Sequence, residues 1–250
     1  MTSLRVASFN IRNGRAVDGW NSWPFRAAAT AAAIAGLGAD VVGLQEAYAF
    51  QLRSLCRRLG RYDAVGDART DGRHGERTPV LFDDRGMAVV DAVTRWYGDR
   101  PDQPGTVLEG AGFPRITTIC RLRLADGVVV QVANTHLDER SGDRRAASLG
   151  QLAGWLDVSA PRIVLGDLNA DPHDTVLNAL REVGLRDALD GVAGGTSHSF
   201  TGRGDGRRID HIFVSEDVEV LESHVEQARP GGRLPSDHWP VVADLRILSA

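Results

Sequence analysis

Lysine is missing from this chain of 250 residues: all 29 of its basic residues are arginine. Without a lysine amine there is no Schiff base, which excludes pyridoxal-phosphate enzymes and class I aldolases. The phosphate-loop GK[ST] motif and the catalytic lysine of protein kinases are excluded on the same ground. GC-rich coding alone produces such an arginine- and alanine-rich composition, and the exclusions hold whatever its origin. Cysteine is scarce too. Cys56 and Cys120 make neither a metal-ligand spacing nor a disulfide framework, so a reduced cytoplasmic setting is expected. No apolar run reaches membrane-spanning length, so no membrane segment is expected. The opening MTSLRVASFN lacks the charged and apolar regions of a secretory signal. Basic charge is not in excess. The 24 Asp and 9 Glu leave a net charge of -4, which argues against a non-specific nucleic-acid binder with a basic stripe.

What is present suits a folded domain. Hydrophobic residues make up 42% of the chain and charged residues 25%, which is ordinary for a globular protein. No segment reads as an interdomain linker, so a single domain over residues 1–250 is expected. Strand-like runs are short and many: Leu4 to Phe9, Val41 to Leu44, Thr78 to Phe82, Met87 to Val93, Ile116 to Leu124 and Val128 to Asn134. Ile163 to Gly166, Ile209 to Val214, Val218 to Glu226 and Val241 to Ile247 follow. Ala125-Asp126-Gly127 between two of these runs is a hairpin signal. Helical patterns span Phe25 to Leu37, Ala47 to Leu59, Gly142 to Leu156 and His173 to Val183, the last one after an Asp171-Pro172 cap. Strands interspersed with helices predict an α/β protein, and the hairpins predict mixed sheets. The stretch Arg69 to Arg77 is polar and reads as an exposed loop.

Several strand runs end on a polar or charged residue. SFNIRNG supplies Asn10, VVGLQEA Glu46, and VANTHLDER Asn134, His136 and Asp138. IVLGDLNADP supplies Asp167 and Asn169, RRIDHIFVS Asp210, and PSDHWPVV Asp237 and His238. Each alone is ordinary turn or cap chemistry. Together they place carboxylates, amides and imidazoles at the lips of buried strands, where unpaired charge is expensive without a cation. Oxygen donors such as Asn10, Glu46, Asp210 and Asp237 suit a hard ion, Mg²⁺ or Mn²⁺, with Ca²⁺ as a further option. The absence of HExxH and of a cysteine cluster argues against structural zinc, and the absence of GxSxG against a serine hydrolase. Histidine beside carboxylates and a metal suits attack of water on a phosphoester.

The set FNIR, LQE, NTHLD, GDLNADP, RRIDHIFVS and SDHWPVV resembles the endonuclease/exonuclease/phosphatase superfamily, with six motifs in order from Leu4 to Leu245. That group holds pancreatic-type deoxyribonuclease, abasic-site endonucleases, poly(A) deadenylases, inositol-phosphate 5-phosphatases and sphingomyelinases. The resemblance implies a two-layer β-sandwich of mixed sheets flanked by helices, four layers in αββα order. It also implies roles. Glu46 matches the principal metal ligand, with Asn10 assisting beside it and Asp237 as a second metal-site carboxylate. Asp167 matches the carboxylate that orients or deprotonates the attacking water, and Asn169 the amide on a phosphoryl oxygen. Asp210 and His238 match an Asp–His pair in which the imidazole serves as base or as electrostatic stabiliser. His136 matches the histidine of the deoxyribonuclease and deadenylase branches; the abasic-site branch has tyrosine there.

Substrate signals are weaker. DGWNSWPFR and GFPRITTICRL resemble a bacterial subgroup whose substrates are poorly defined. Arg12 and Arg115 are candidate phosphate forks and His198 a candidate substrate contact, while surface ion pairs explain the arginines equally well. Trp20 and Trp23 could stack on a base or pack at a helix edge, Glu76 could support the site, and Arg207 and Arg208 could flank phosphate or form a solvated turn. The expected activity is divalent-metal-dependent hydrolysis of a phosphodiester or phosphomonoester. The partner is then a phosphate-ester substrate, a small molecule or a nucleic acid, with no protein partner implied. Alternatives are a nuclease acting on DNA or RNA, and a pseudoenzyme that binds a phosphorylated ligand without turnover.

Overall fold

A strand sends successive side chains to opposite faces, and here each buried strand splits its apolar residues between two different cores. The computed structural model of the protein describes residues 2–248. Along it run β1 (Thr2–Asn10), α1 (Trp23–Leu37), β2 (Val41–Gln45), β3 (Ala47–Tyr48), α2 (Ala49–Leu59), β4 (Tyr62–Val65), β5 (Glu76–Arg77) and β6 (Val80–Asp83). β7 (Met87–Trp96), β8 (Ile116–Leu124), β9 (Val129–His136), α3 (Gly142–Trp155), β10 (Arg162–Asp167) and α4 (Asn178–Arg181) follow. β11 (Leu185–Asp187), β12 (Asp210–Ser215), β13 (Val218–Val225) and β14 (Val241–Ile247) complete the order.

One sheet has the order β13-β14-β1-β2-β6-β4 and the other β11-β12-β10-β9-β8-β7. Each sheet contains one parallel pair, β1 with β2 and β9 with β10, and is otherwise antiparallel. A parallel pair needs a long crossover, and α1 and α3 supply the two crossovers. Leu4, Val6, Val41, Val130, Val132, Ile163, Leu165, Ile212 and Val214 meet between the sheets. Ala7, Phe9, Val42 and Leu44 face outward to Ala27, Ile34 and Leu37 of α1 and Leu55 of α2. Ala133, Val164 and Phe213 face Leu149 and Leu152 of α3 and Leu180 of α4. The result is the mixed-sheet sandwich with helices on both outer faces that the motifs imply. Among the described residues no helix is long and apolar enough to cross a membrane.

Two local expectations are corrected. The helix expected over His173 to Val183 is a 3₁₀ turn, Thr175–Leu177, running into the single turn of α4. Its cap is Asp174, whose carboxylate accepts the Val176 amide, whereas Asp171 pairs with Arg207 on the surface. The stretch 69–77 is exposed only in its middle. The Arg69 amide bonds the Glu76 carbonyl at 2.9 Å, and Glu76 is buried.

Candidate active site

The polar residues gather by period-two arithmetic. The inward face of β1 reads Leu4, Val6, Ser8, Asn10; that of β9 reads Val130, Val132, Asn134, His136; that of β10 reads Ile163, Leu165, Asp167. Each turns from apolar to polar at the same end. Parallel pairing puts the ends of β1 and β2, and of β9 and β10, at one edge, with Asn10 opposite Gln45 and Asp167 opposite His136. β12 runs antiparallel to β10, so its first residue, Asp210, lies opposite Asp167. β14 is antiparallel to β1, so the turn Ser236 to His238 before it reaches the same edge.

Asn10 ties the two sheets together there. Its amide nitrogen donates to Glu46 Oε1 at 3.1 Å and to Asp167 Oδ2 at 3.0 Å. Its oxygen accepts the Arg12 amide at 2.9 Å. Glu46 Oε2 accepts the Asn13 amide at 2.7 Å, and Asp167 Oδ1 accepts the Asn169 amide at 3.0 Å. The Asn169 side chain donates to the Leu137 carbonyl at 3.1 Å. Arg12, Glu46 and Asn169 have φ of 54°, 59° and 51°. Such left-handed conformations cost free energy in non-glycine residues, and that cost is typically stored at functional sites.

On the facing side, His238 Nδ1 is 2.8 Å from Asp210 Oδ2 and 3.9 Å from Asp167 Oδ2. His136 Nε2 stands 3.6 Å from the same Asp167 oxygen. Ligand atoms of Asp167, Asp210 and His238 all lie within 4.8 Å of one another. Burial, and then the charge of Asp210, pushes the Asp167 carboxyl up to about 7. Burial opposes charge on His238, but the charge and hydrogen bond of Asp210 override it and raise the ring to about 10. His136 moves the other way: burial first, then the charges of Arg115, His238 and Arg69, hold it well below the usual imidazole range. The edge therefore carries one charged and one neutral imidazole on either side of a carboxylate that titrates near neutrality.

Asp237 reaches the cleft from the last turn, its Oδ1 3.2 Å from Ser236 Oγ. Arg12 lies 3.7 Å from Asp237, but its guanidinium forks onto Asp18 at 3.1 and 3.0 Å. The buried Arg26 holds this corner, donating to the carbonyls of Asn21, Ile11, Arg12 and Pro235 at 2.7–3.2 Å. Its position in the alanine-rich helix carried no sequence signal for that role. Arg115 lines the cleft with a side chain only 6% exposed and pairs with Glu139. Arg69, Phe113 and Glu76 line it as well. Sequence reasoning missed Arg69 and Phe113, because nothing local distinguishes them from other loop residues. Burial, ahead of the opposing charge of Arg69, raises Glu76.

Other expected residues lie elsewhere. His198 does not line the cleft. It is buried with its ring 4.3 Å from that of Trp239, behind the Asp237 turn, where its amide bonds the Asp237 carbonyl at 2.8 Å. Asn134 is a structural tie between sheets. Its oxygen accepts Gln45 Nε2 at 2.7 Å, and its nitrogen donates to the Leu44 and Pro79 carbonyls, each at 2.8 Å. Asp138 accepts the Arg140 and Ser141 amides ahead of α3. Trp23 is core, whereas Trp20 is exposed against Phe25. Arg207 forms its pair in solvent, and Arg208 is buried against Asp187 at 3.2 Å.

The cleft is open and holds about 440 Å³. Glu46, Glu76, Glu139, Asp167 and Asp237 face it, five carboxylates against the three guanidiniums of Arg12, Arg69 and Arg115. This surplus of hard oxygen donors fits a divalent cation of the Mg²⁺ or Mn²⁺ kind. Carboxylates, amides and imidazoles at the edge of two packed mixed sheets define the class, a hydrolase of phosphoester bonds. The chain belongs to the endonuclease/exonuclease/phosphatase family, whose model matches residues 7–238. A solved family protein from Bacteroides vulgatus is 30% identical with a TM-score of 0.92, covering 99% of this chain and 100% of its own. One from Bacteroides thetaiotaomicron is 28% identical with a TM-score of 0.92, covering 100% of this chain and 99% of its own. A mannosyl-6-phosphatase of Bacteroides thetaiotaomicron is 28% identical with a TM-score of 0.87, covering 98% of this chain and 100% of its own. No curated relative matches the sequence.

Proposed function

We propose that the protein is a divalent-metal-dependent phosphoesterase that hydrolyses a small phosphate ester by in-line attack of water. The observation that carries this reading is Asn10, whose one amide nitrogen bonds both Glu46 and Asp167 and so joins a metal-type carboxylate to a base-type one. Glu46 and Asp237 would hold Mg²⁺ or Mn²⁺ with Asn10 beside them, and the bound ion would neutralise charge on the phosphoryl oxygens.

The chain's own groups divide the remaining work. Asp167, titrating near 7, orients the attacking water and takes its proton. His238, kept charged by Asp210, stabilises the developing negative charge. His136, neutral beside Asp167, offers a hydrogen bond to a phosphoryl or leaving oxygen. The Asn169 amide, on a backbone held in the left-handed region, contacts a phosphoryl oxygen. Arg115 supplies the cationic contact that lysine would give in other proteins. A small ester is favoured over a nucleic acid because the cleft presents five carboxylates and three guanidiniums, whereas a polymer binds along a predominantly basic track. The similarity to a mannosyl-6-phosphatase supports the same choice. A reducing, cytoplasmic setting suits the free Cys56 and Cys120.

The test is hydrolysis of p-nitrophenyl phosphate, bis-p-nitrophenyl phosphate, sugar phosphates and short DNA and RNA, with Mg²⁺ or Mn²⁺ and with EDTA. A Glu46→Ala preparation run alongside excludes contaminants. Metal-dependent turnover of a small ester is expected from the wild type only. Turnover confined to the oligonucleotides would make the protein a nuclease, and no turnover at all would leave a phospho-ligand-binding pseudoenzyme.

A further inference from the structure

Arg69 and Arg115 come from segments 46 residues apart and converge on one ring. Their guanidinium carbons lie 4.5 and 4.8 Å from the centroid of Phe113, with geometry that favours a cation over an aromatic face. Each is matched by a carboxylate: Arg69 by Glu76 at 2.7 Å, and Arg115 by Glu139. These carboxylates neutralise the two guanidiniums when no ligand is present, so an anion that displaces one of them meets two cationic groups already held on one ring. Arg115 Nε is buried with no hydrogen-bond partner, as are the Nε atoms of Arg5, Arg77, Arg145 and Arg162, and of these five arginines Arg115 is the one that lines the cleft.

The position is informative. Glu46, Arg69, Glu76, Arg115 and His136 border the main cleft and also a void of about 10 Å³ behind it, backed by Arg77, Thr78, Pro114 and Ile116. That void has room for about one water. The two arginines thus stand together on the part of the cleft that borders this recess. A phosphodiester carries one negative charge, whereas a terminal phosphoryl group carries a second that a pair of guanidiniums matches. Of the two carboxylates, Glu139 is the one free to move away: its side chain is 41% exposed, against 11% for Glu76.

We infer that Arg69 and Arg115, stacked on Phe113, form a subsite for the second negative charge of a phosphomonoester, and that Glu139 competes for it when no substrate is bound. The inference rests on the phosphoesterase reading and narrows its substrate to monoesters. The guanidiniums approach the terminal oxygens of the phosphoryl group, while the ester side points away from them.

The test is calorimetric titration of the Mg²⁺-loaded protein with inorganic phosphate and with dimethyl phosphate, which has the same core but a single charge. Phosphate is expected to bind at least about tenfold more tightly, the scale of one charge-assisted hydrogen bond. Arg69→Met and Arg115→Met each lower phosphate affinity by about tenfold or more, and Arg115→Lys recovers part of the loss. Glu139→Gln tightens phosphate, because the competing carboxylate is gone; a purely structural Glu139 would give no gain. The ratio of kcat/KM for p-nitrophenyl phosphate to that for its bis ester falls in both methionine variants. Equal binding of the two anions, or methionine variants that leave phosphate affinity unchanged, overturns the subsite. Absence of Mg²⁺-dependent turnover would instead overturn the phosphoesterase reading, and the titrations still decide the subsite.

Discussion

The imidazole of His238 stands 2.8 Å from the carboxylate of Asp210, across 28 residues of intervening chain. Strand order brings them together. Asp210 opens β12 opposite Asp167, and His238 lies just ahead of β14, the neighbour of β1 in the other sheet. The pair therefore closes the cleft from both sheets at once, with Asp167 between it and Asn10.

The first prediction concerns this group. Asp167→Asn is expected to lower kcat by about 10²–10⁴, the usual worth of a positioned base, and His238→Ala by about 10²–10³, the scale of a lost stabiliser of developing charge. Circular dichroism should show the fold retained. Near-full activity in either variant would remove that residue from the mechanism.

The metal reading predicts a change in stability as well as in rate. A ligand that binds only the folded state at a hundredfold excess over its Kd adds about 2.7 kcal/mol. For a domain of this size that raises Tm by roughly 5–10 °C. Mg²⁺ or Mn²⁺ should produce such a shift, EDTA should reverse it, and Glu46→Gln should abolish it. A shift that survives in Glu46→Gln places the ion elsewhere.

Asn134 is expected to matter for stability and not for the ion. Asn134→Ala removes the bond accepted from Gln45 and the bonds donated to the Leu44 and Pro79 carbonyls, at a cost of about 2–4 kcal/mol in all. Urea denaturation measures the loss, and the metal-dependent Tm shift should persist. Equal stability of variant and wild type would mean that the sheets do not depend on this tie.

His136 predicts a dependence on pH. Folded, it resists protonation because it is buried beside Arg115, while an unfolded chain accepts a proton below about 6.5. The unfolded state therefore binds more protons in acid, and stability falls as pH drops through 6.5. Above that value both states are neutral and the contribution vanishes. Wild type should melt lower at pH 5 than at pH 7.5, and His136→Gln should narrow the gap. An unchanged gap would show that His136 takes up its proton while folded.

Much of the site was legible in the chain because its signal is local. Apolar runs that end on Asn10, Glu46, His136 and Asp167, and one that begins at Asp210, announce strands whose polar ends share an environment. Arg69 and Phe113 were not legible, since they lie in loops whose course depends on contacts such as the Arg69–Glu76 backbone bond. Arg12 and His198 looked like substrate contacts; Arg12 lines the cleft with its guanidinium forked onto Asp18, whereas His198 lies outside the cleft lining against Trp239. Asn134 carried the same strand-end signal as Asn10. It differs only in lying one step deeper on the inward face of its strand, where it meets backbone carbonyls instead of the cleft.

By itself the sequence determined the mixed α/β character, the motif set, and the restriction of basic chemistry to arginine, because composition and a period of two are properties of neighbours along a chain. The tertiary structure alone decided which arginines line the cleft and which carboxylate each one meets. The cleft joins segments tens of residues apart, and its lining depends on sheet order, register and loop path, which no local pattern encodes.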